Sequence, residues 1–284
     1  MITNNSFTIR PMIRTELDLA IDWAAKEGWN PGIYDADSFW SVDPEGFFIG
    51  LENNKPVATV SAVKYDAGFG FIGFFIVKAE YRSQGFGLLM GRKALDYLKG
   101  CNVGIDGVVE QQENYKRFGF QIAYQNIRFE THGTRSQVMV ENLVPIQKVR
   151  LTDLLEYDTR HFPTQRATFV RNWIKQPQAT TLAYLEKGKM TGYGMIRKCR
   201  NGFKIGPLFA DDYEIAQTIL SGLLSRIRTS EPVFLDVPEI NADGLLLAEN
   251  YNMRRVFETV RMYSKEKPRI DINHVFGVTS FELG

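Results

Sequence analysis

The sequence predicts an α/β (α+β) protein built as two copies in tandem of a mixed, twisted sheet flanked by helices. Three observations carry that expectation. Strand-like and helix-like patterns alternate so that one long helix crosses between two neighbouring strands. The same order of patterns restarts after about residue 140, with little sequence identity between the copies. The 284 residues are a soft prior for two domains and suffice for a sizeable core. The expected boundaries are residues 1–135 and 145–284.

In the first copy, Phe7 to Pro11 reads as a short strand. Thr15 can cap a helix through Leu17, Ala20, Trp23 and Ala24 that stops near Gly28. Asp35 to Trp40 looks like a second short helix, followed by the turn Asp43 to Gly46. Phe47 to Glu52 and Pro56 to Tyr65 read as strands joined at Asn53-Asn54, a hairpin signal. Gly70 to Val77 is a fourth strand. A helix from Leu88 to Leu98 follows, with Leu88, Leu89, Leu95 and Leu98 as its apolar stripe. Asn102 to Val109 is a strand, Gln111 to Phe118 a short helix, and Phe120 to Phe129 a return strand.

The second copy repeats the series. Val149 to Thr159 and Arg166 to Lys175 read as helices, and Thr180 to Glu186 and Met190 to Lys198 as a hairpin turning at Lys187-Gly188-Lys189. Phe203 to Phe209 is strand-like and Ile215 to Ile227 helical. Pro232 to Val237, Ala242 to Tyr251 and Arg255 to Tyr263 complete it as strand, helix and long strand.

Composition narrows the function. Hydrophobic residues make up 44% of the chain and the formal net charge is +1, with no long basic run. This argues against a nucleic-acid or membrane-surface binder. No apolar run is long enough to span a bilayer and no secretory signal precedes the first strand, so a cytoplasmic protein is expected. Cys101 and Cys199 lie far apart, and His132, His161 and His274 are scattered. Neither a disulfide framework nor a metal site is expected.

The most informative stretch runs from Val77 to Met90, with Arg82, Ser83, Gln84, Gly85, Phe86, Gly87 and Leu88 joining a strand to a helix. Glycines let a backbone approach a ligand closely, and the first amides of a helix have no internal partners. Those amides and the positive end of the helix dipole favour an anion such as a pyrophosphate, and Arg82 adds a fixed charge that can fork onto phosphate oxygens. No Gly-Lys-Ser/Thr follows, so this is not a Walker loop. It also lacks the third glycine and distal acid of a dinucleotide fingerprint.

Arg82-x-x-Gly85-x-Gly87 opening a helix, followed by Asn114-Tyr115-Lys-Arg-Phe-Gly-Phe120, resembles the GNAT superfamily of N-acetyltransferases from about residue 6 to 130. The resemblance implies a tandem type whose first domain binds acetyl-CoA as co-substrate. In that fold the fourth and fifth strands splay apart and the pantetheine arm pairs with the fourth, here around Phe75, Ile76 and Val77. It also implies Tyr115 as general acid for the departing thiolate, or as a hydrogen-bond partner of the sulfur. An oxyanion donor is implied near Ile76 or Val77. The second copy has Ala210-Asp-Asp-Tyr-Glu214 in place of the glycine turn, and acids there repel phosphate. It is expected to bind no CoA.

The general base is left open between Asp106, Glu110 and deprotonation in solution. Trp29 and Tyr34, in an aromatic early region, either pack in the core or line an acceptor pocket. Asp236 and Glu239 at a strand end are either turn acids or hold an ammonium group across an interdomain cleft. The expected activity is acetyl transfer to a primary amine of a small molecule, amino-acid-like or polyamine-like, by direct attack in a ternary complex. An acyl-CoA sensor, a protein-amine acetyltransferase and a transferase for longer acyl groups are the alternatives. The expected state is monomer or homodimer.

Overall fold

The structure, a computed structural model, describes residues 7–135 and 140–284. The first copy comprises β1 (Phe7–Pro11), α1 (Arg14–Lys26), α2 (Asp35–Trp40), β2 (Phe47–Glu52), β3 (Lys55–Lys64), β4 (Phe69–Val77), α3 (Phe86–Tyr97), β5 (Asn102–Val108), α4 (Gln112–Arg117) and β6 (Gln121–His132). The second repeats that order as β7 (Leu143–Pro145), α5 (Leu151–Thr159), α6 (Ala167–Trp173), β8 (Ala179–Glu186), β9 (Lys189–Lys198), β10 (Phe203–Ala210), α7 (Tyr213–Leu224), β11 (Pro232–Pro238), α8 (Ala242–Asn250) and β12 (Arg254–Tyr263). A short helical turn, Ile272–His274, leads to β13 (Val275–Gly277).

The two copies share one 13-stranded mixed sheet in the order β1-β2-β3-β4-β5-β12-β6-β11-β10-β9-β8-β7, with β13 on β10. Exchanging each strand for its counterpart in the other copy reverses this order, which defines a pseudo-twofold axis between β12 and β6. The return strand Phe120 to Phe129 expected from sequence does not close its own copy. Instead β6 pairs with β11, and β12 takes the place beside β5. The halves divided at residues 135 and 145 are therefore consecutive in sequence but interlocked in space.

The exchange is pinned by the same ion pair made twice. Asp106 and Asp236 each stand four residues after the start of β5 and β11, and Arg128 and Arg261 each seven after the start of β6 and β12. Arg261 lies directly opposite Asp106, and Arg128 opposite Asp236. Both pairs are two-pronged, at 2.6 and 2.6 Å for Arg261–Asp106 and 2.6 and 2.8 Å for Arg128–Asp236. A third buried pair, Arg197–Asp35 at 2.9 Å, also crosses between the copies.

Helix α3 crosses between the parallel neighbours β4 and β5, and α7 between β10 and β11. Phe86, Met90, Ala94 and Leu98 of the first crossover pack on Val60, Ile72 and Ile105. Leu88 and Leu89, expected on that stripe, are 47% and 42% exposed. The i, i+4 spacing from Phe86 sets the buried face and turns Leu88 outward. Strands β4 and β5 pair from Phe69↔Asn102 to Ile72↔Ile105 and no further, and β10 and β11 only from Phe203 to Ile205. In each copy the two strands then part. In the second copy β13 fills the gap by pairing with β10, and Val278 just after it donates its N–H to Asp236 O on β11. In the first copy the gap is open.

Candidate functional site

The open gap is the inner end of a cavity of about 910 Å³, near the top of the usual range for small-molecule sites (about 300–1,000 Å³). Its walls come from the end of β4, the β4–α3 loop, the end of β5 and α4, including Phe75, Ile76, Val77, Arg82, Ser83 and Tyr115. The loop takes the left-handed conformation at Ser83 (φ 63°) and Gly85 (φ 87°), which brings the chain into the start of α3. Gly85 is the helix N-cap and has no side chain to occupy the first amides. A Cβ built on Gly87 would meet only Val77 Cγ2, at 3.8 Å. Neither the backbone nor protein packing requires glycine at 87, so its open side is available to a ligand. This observation fits the loop to a phosphate-bearing substrate.

Arg82, Ser83, Gly85, Gly87 and Leu88 all border the cavity, as does Asn114, whose amide donates to Gln111 Oε1. Arg82 donates to Val77 O at 2.9 Å and pairs with Glu27 at 2.5 Å, both side chains being at least a third exposed. Such a surface pair is worth at most about 1 kcal/mol, so an arriving phosphate can take the guanidinium over. Two of the expected loop residues do not face the cavity. Phe86 points into the core and stacks on Phe7, offering the site only its backbone, and Gln84 turns back to Glu80 O at 3.3 Å.

Strand β4 carries a bulge where Thr59 pairs with Ile76 but Ser61 pairs with Gly73. Phe74 takes φ 44° there, held by Thr59 Oγ1 donating to its carbonyl at 2.9 Å. The bulge turns β4 away from β5, so the edge from Gly73 to Val77 faces the cavity without a β5 partner. Across the gap, Tyr115 of α4 is largely buried and lies 6.4 Å from Phe75, ring to ring. A Cβ on Gly107 would come within 2.2 Å of the Tyr115 ring, so the glycine in β5 makes its berth. Burial pushes the phenol up to about 12. The hydroxyl stays protonated at neutral pH, and among the described residues it makes no hydrogen bond.

The acids sort differently from the sequence expectation. Asp106 borders the inner end of the site, but its side chain is 0% exposed and both oxygens are bound by Arg261, with Asn126 Nδ2 adding a third bond. Burial pushes its carboxyl up and the Arg261 fork opposes that. A carboxylate so occupied is poorly placed as a proton acceptor. Asp236 is likewise buried against Arg128, which holds its carboxyl low against the cost of burial. Glu239 accepts from Gln125 N–H at 3.0 Å and caps the edge of β6. Tyr34 accepts from Gln178 Nε2 and stays away from the cavity. Glu110 is exposed at the rim. Trp29 does line the cavity, its carbonyl held by Arg128 Nη1 at 2.8 Å and Lys204 Nζ at 3.4 Å.

Behind Tyr115 lies a small inner chamber of about 30 Å³, which no local pattern in the chain announces. The second copy supplies much of its wall: Phe257 and Thr259 of β12, and Phe281 and Glu282 beyond β13. Glu282 O lies so close over Gly73 that a Cβ there would stand 2.0 Å from it. Three buried oxygens in this region have no hydrogen-bond partner among the described residues: Glu282 Oε2, Thr259 Oγ1 and, opposite Thr259 on β6, Asn126 Oδ1. Leaving such groups unpaired costs about 1–3 kcal/mol each, which marks the chamber as a place for hydrogen-bond donors.

The corresponding position in the second copy is closed. Asp212 caps α7 by accepting from Ile215 N–H at 2.8 Å, and Asp211 accepts from Tyr157 Oη at 2.7 Å. The Asp212 carboxylate takes an amide that a phosphate would need, and the Asp211 carboxylate adds a charge that would repel it.

Comparison with known proteins finds an acetyltransferase match in each copy. Residues 14–120 match the family described as "Acetyltransferase (GNAT) family", and residues 154–277 match "Acetyltransferase (GNAT) domain". Over 284 residues the chain is 25% identical to the holothin acyltransferase of Pseudoalteromonas sp. (strain SANK 73390), spanning 100% of this chain and 97% of that one. It is 21% identical over 219 residues to the uncharacterized N-acetyltransferase YitH of Bacillus subtilis (strain 168), spanning 75% and 76% of the two. A putative acetyltransferase from Pyrococcus horikoshii shares the fold with a TM-score of 0.83 at 21% identity, over 100% and 98% of the chains. A tandem GNAT protein from the clavulanic acid biosynthesis pathway shares it with a TM-score of 0.64 at 10% identity, over 92% and 100%.

Proposed function

The chain belongs to the GNAT family as a tandem acyltransferase, and from that premise we propose that it moves the acetyl group of acetyl-CoA to a primary amine of a small molecule. The diphosphate sits on the amides that open α3, with Arg82 released from Glu27 to join it. The pantetheine arm runs along the unpaired edge of β4 and presents the thioester beneath Tyr115. The acceptor amine enters the inner chamber and attacks the carbonyl carbon. As the tetrahedral intermediate collapses, the C–S bond breaks and Tyr115 gives its proton to the sulfur. Glu110 at the rim and Glu282 in the chamber are the carboxylates free to take the proton that the amine gives up.

The observation that carries the amine acceptor is the set of unpartnered oxygens on Glu282, Thr259 and Asn126. An amine or ammonium brings N–H donors to Glu282 and Thr259, which line the chamber, and the carboxylate offsets its charge. The whole-length relative named for acylation of holothin supports transfer to a discrete acceptor.

Acetyl-CoA at a hundred times its Kd should raise Tm by about 5 °C or more. Gly87→Leu should leave the ligand-free Tm nearly unchanged, since a Cβ has room there, and abolish the shift. A shift retained in that variant removes the loop from the reading. A panel of small amines, followed by release of free thiol, identifies the acceptor class. No turnover with any amine in the presence of bound acetyl-CoA would overturn the transferase assignment to small amines.

A further inference from the structure

The sequence scatters its histidines, but the fold brings two of them together beside Asp211. His161 follows α5, Asp211 sits in the β10–α7 turn, and His274 ends the helical turn before β13. One donor atom from each lies within 4.8 Å of the others. Each is oriented by a neighbour. Tyr157 O lies 2.9 Å from His161 Nδ1, so that nitrogen carries the proton and leaves the Nε2 lone pair free. Asp271 Oδ2 stands 3.4 Å from His274 Nδ1 and favours the same tautomer there. Tyr157 Oη donates to Asp211 Oδ1 at 2.7 Å, leaving Oδ2 free. Imidazoles backed by a carbonyl and a carboxylate, with a hydrogen-bonded carboxylate beside them, form the supporting arrangement that tunes metal ligands.

We propose that His161, Asp211 and His274 bind one divalent transition ion of the zinc class, pinning the segment that carries β13 to the second copy. Two nitrogens and one carboxylate oxygen suit Zn²⁺ and exclude a preference for Mg²⁺ or Ca²⁺. Tetrahedral ligation at about 2.0–2.1 Å sets donors roughly 3.4 Å apart, so the site needs only a small inward turn of side chains. His274 and Asp211 are half-buried and can make it, while His161 is fixed between Tyr157 and Phe209. The ion would join three segments distant in sequence. One of them leads through β13 to Phe281 and Glu282, which line the inner chamber of the other copy.

The test uses the full chain, stripped with a chelator and titrated with ZnCl₂, CoCl₂ and MgCl₂ in separate experiments. Calorimetry should find one zinc equivalent, with Tm rising by about 4–8 °C at saturation, and Mg²⁺ should give no shift. His274→Ala and Asp211→Asn, both at half-buried positions, should keep the metal-free Tm within a few degrees. They should weaken zinc binding at least tenfold, and the Co²⁺ absorption bands of a nitrogen-ligated site should vanish in His274→Ala. Absence of a shift with both Zn²⁺ and Co²⁺ overturns the proposal. So does a shift undiminished in both variants, which would place the ion elsewhere.

Discussion

Tyr115 and Glu282 occupy the two sides of the proposed reaction, and their substitutions separate them. Tyr115→Phe should lower kcat by roughly a hundredfold while leaving the acetyl-CoA-induced Tm shift in place. The phenol acts as an acid and burial raises it from 10.0 to about 12, so its protonated form persists to higher pH than in solution. The wild-type rate should therefore show no descending limb from this group below pH 10, and a limb centred lower that Phe removes would refute the assignment. Glu282→Gln should raise the acceptor KM by about 10- to 100-fold, the equivalent of about 1.5–3 kcal/mol for a hydrogen bond to a charged group. An unchanged acceptor KM would take Glu282 out of the chamber's chemistry. The cradle and Tyr115 were legible because they are local: a glycine turn or a Tyr-x-x-x-Gly turn is written in adjacent letters. Glu282 was illegible because nothing near it in the chain says that it packs against Gly73 of the other copy.

Elements tell the same story through their pairing. Eleven of the strands could be read from alternation and turn residues, to within a residue or two at most ends, whereas the three-residue strands β7 and β13 are too short to show an alternation. Register along one chain says nothing about which copy a strand joins. Asp106 on the fifth strand and Asp236 at a strand end were candidates from sequence because a carboxylate near a cleft can serve as a base or hold an ammonium group, and each equally well serves structure. Their partners Arg261 and Arg128 lie 155 and 108 residues away, so the ion pairs appear only once β12 and β6 have changed places. Arg261→Met should leave Asp106 buried and uncompensated at a cost of about 3–5 kcal/mol, seen as a lower denaturant midpoint. Adding Asp106→Leu should recover much of that loss. If Arg261→Met alone costs less than about 1 kcal/mol, the pair is not what fixes the exchange.

At the scale of the whole molecule, two copies of one pattern differ most where their central strands part. The first keeps its gap open and its helix amides free. The second fills its gap with β13 and caps its helix with Asp212. Because the sheet runs unbroken from β1 to β7 through the exchanged strands, the halves should not melt separately. Differential scanning calorimetry of the chain should record one cooperative transition with equal calorimetric and van't Hoff enthalpies. Two resolved transitions would mean that the exchange contributes little to cohesion.

The exchanged strands also set a timetable for synthesis. Residues 7–132 leave the ribosome first, yet the slot beside β5 stays vacant until Arg254–Tyr263 has emerged. For most of translation the nascent chain thus carries an unpaired β5 edge and a β6 with nothing to lie against. Such edges invite pairing with other chains, so a slow stretch of message or a scarce chaperone should tell most on the yield of this protein before residue 263 is reached.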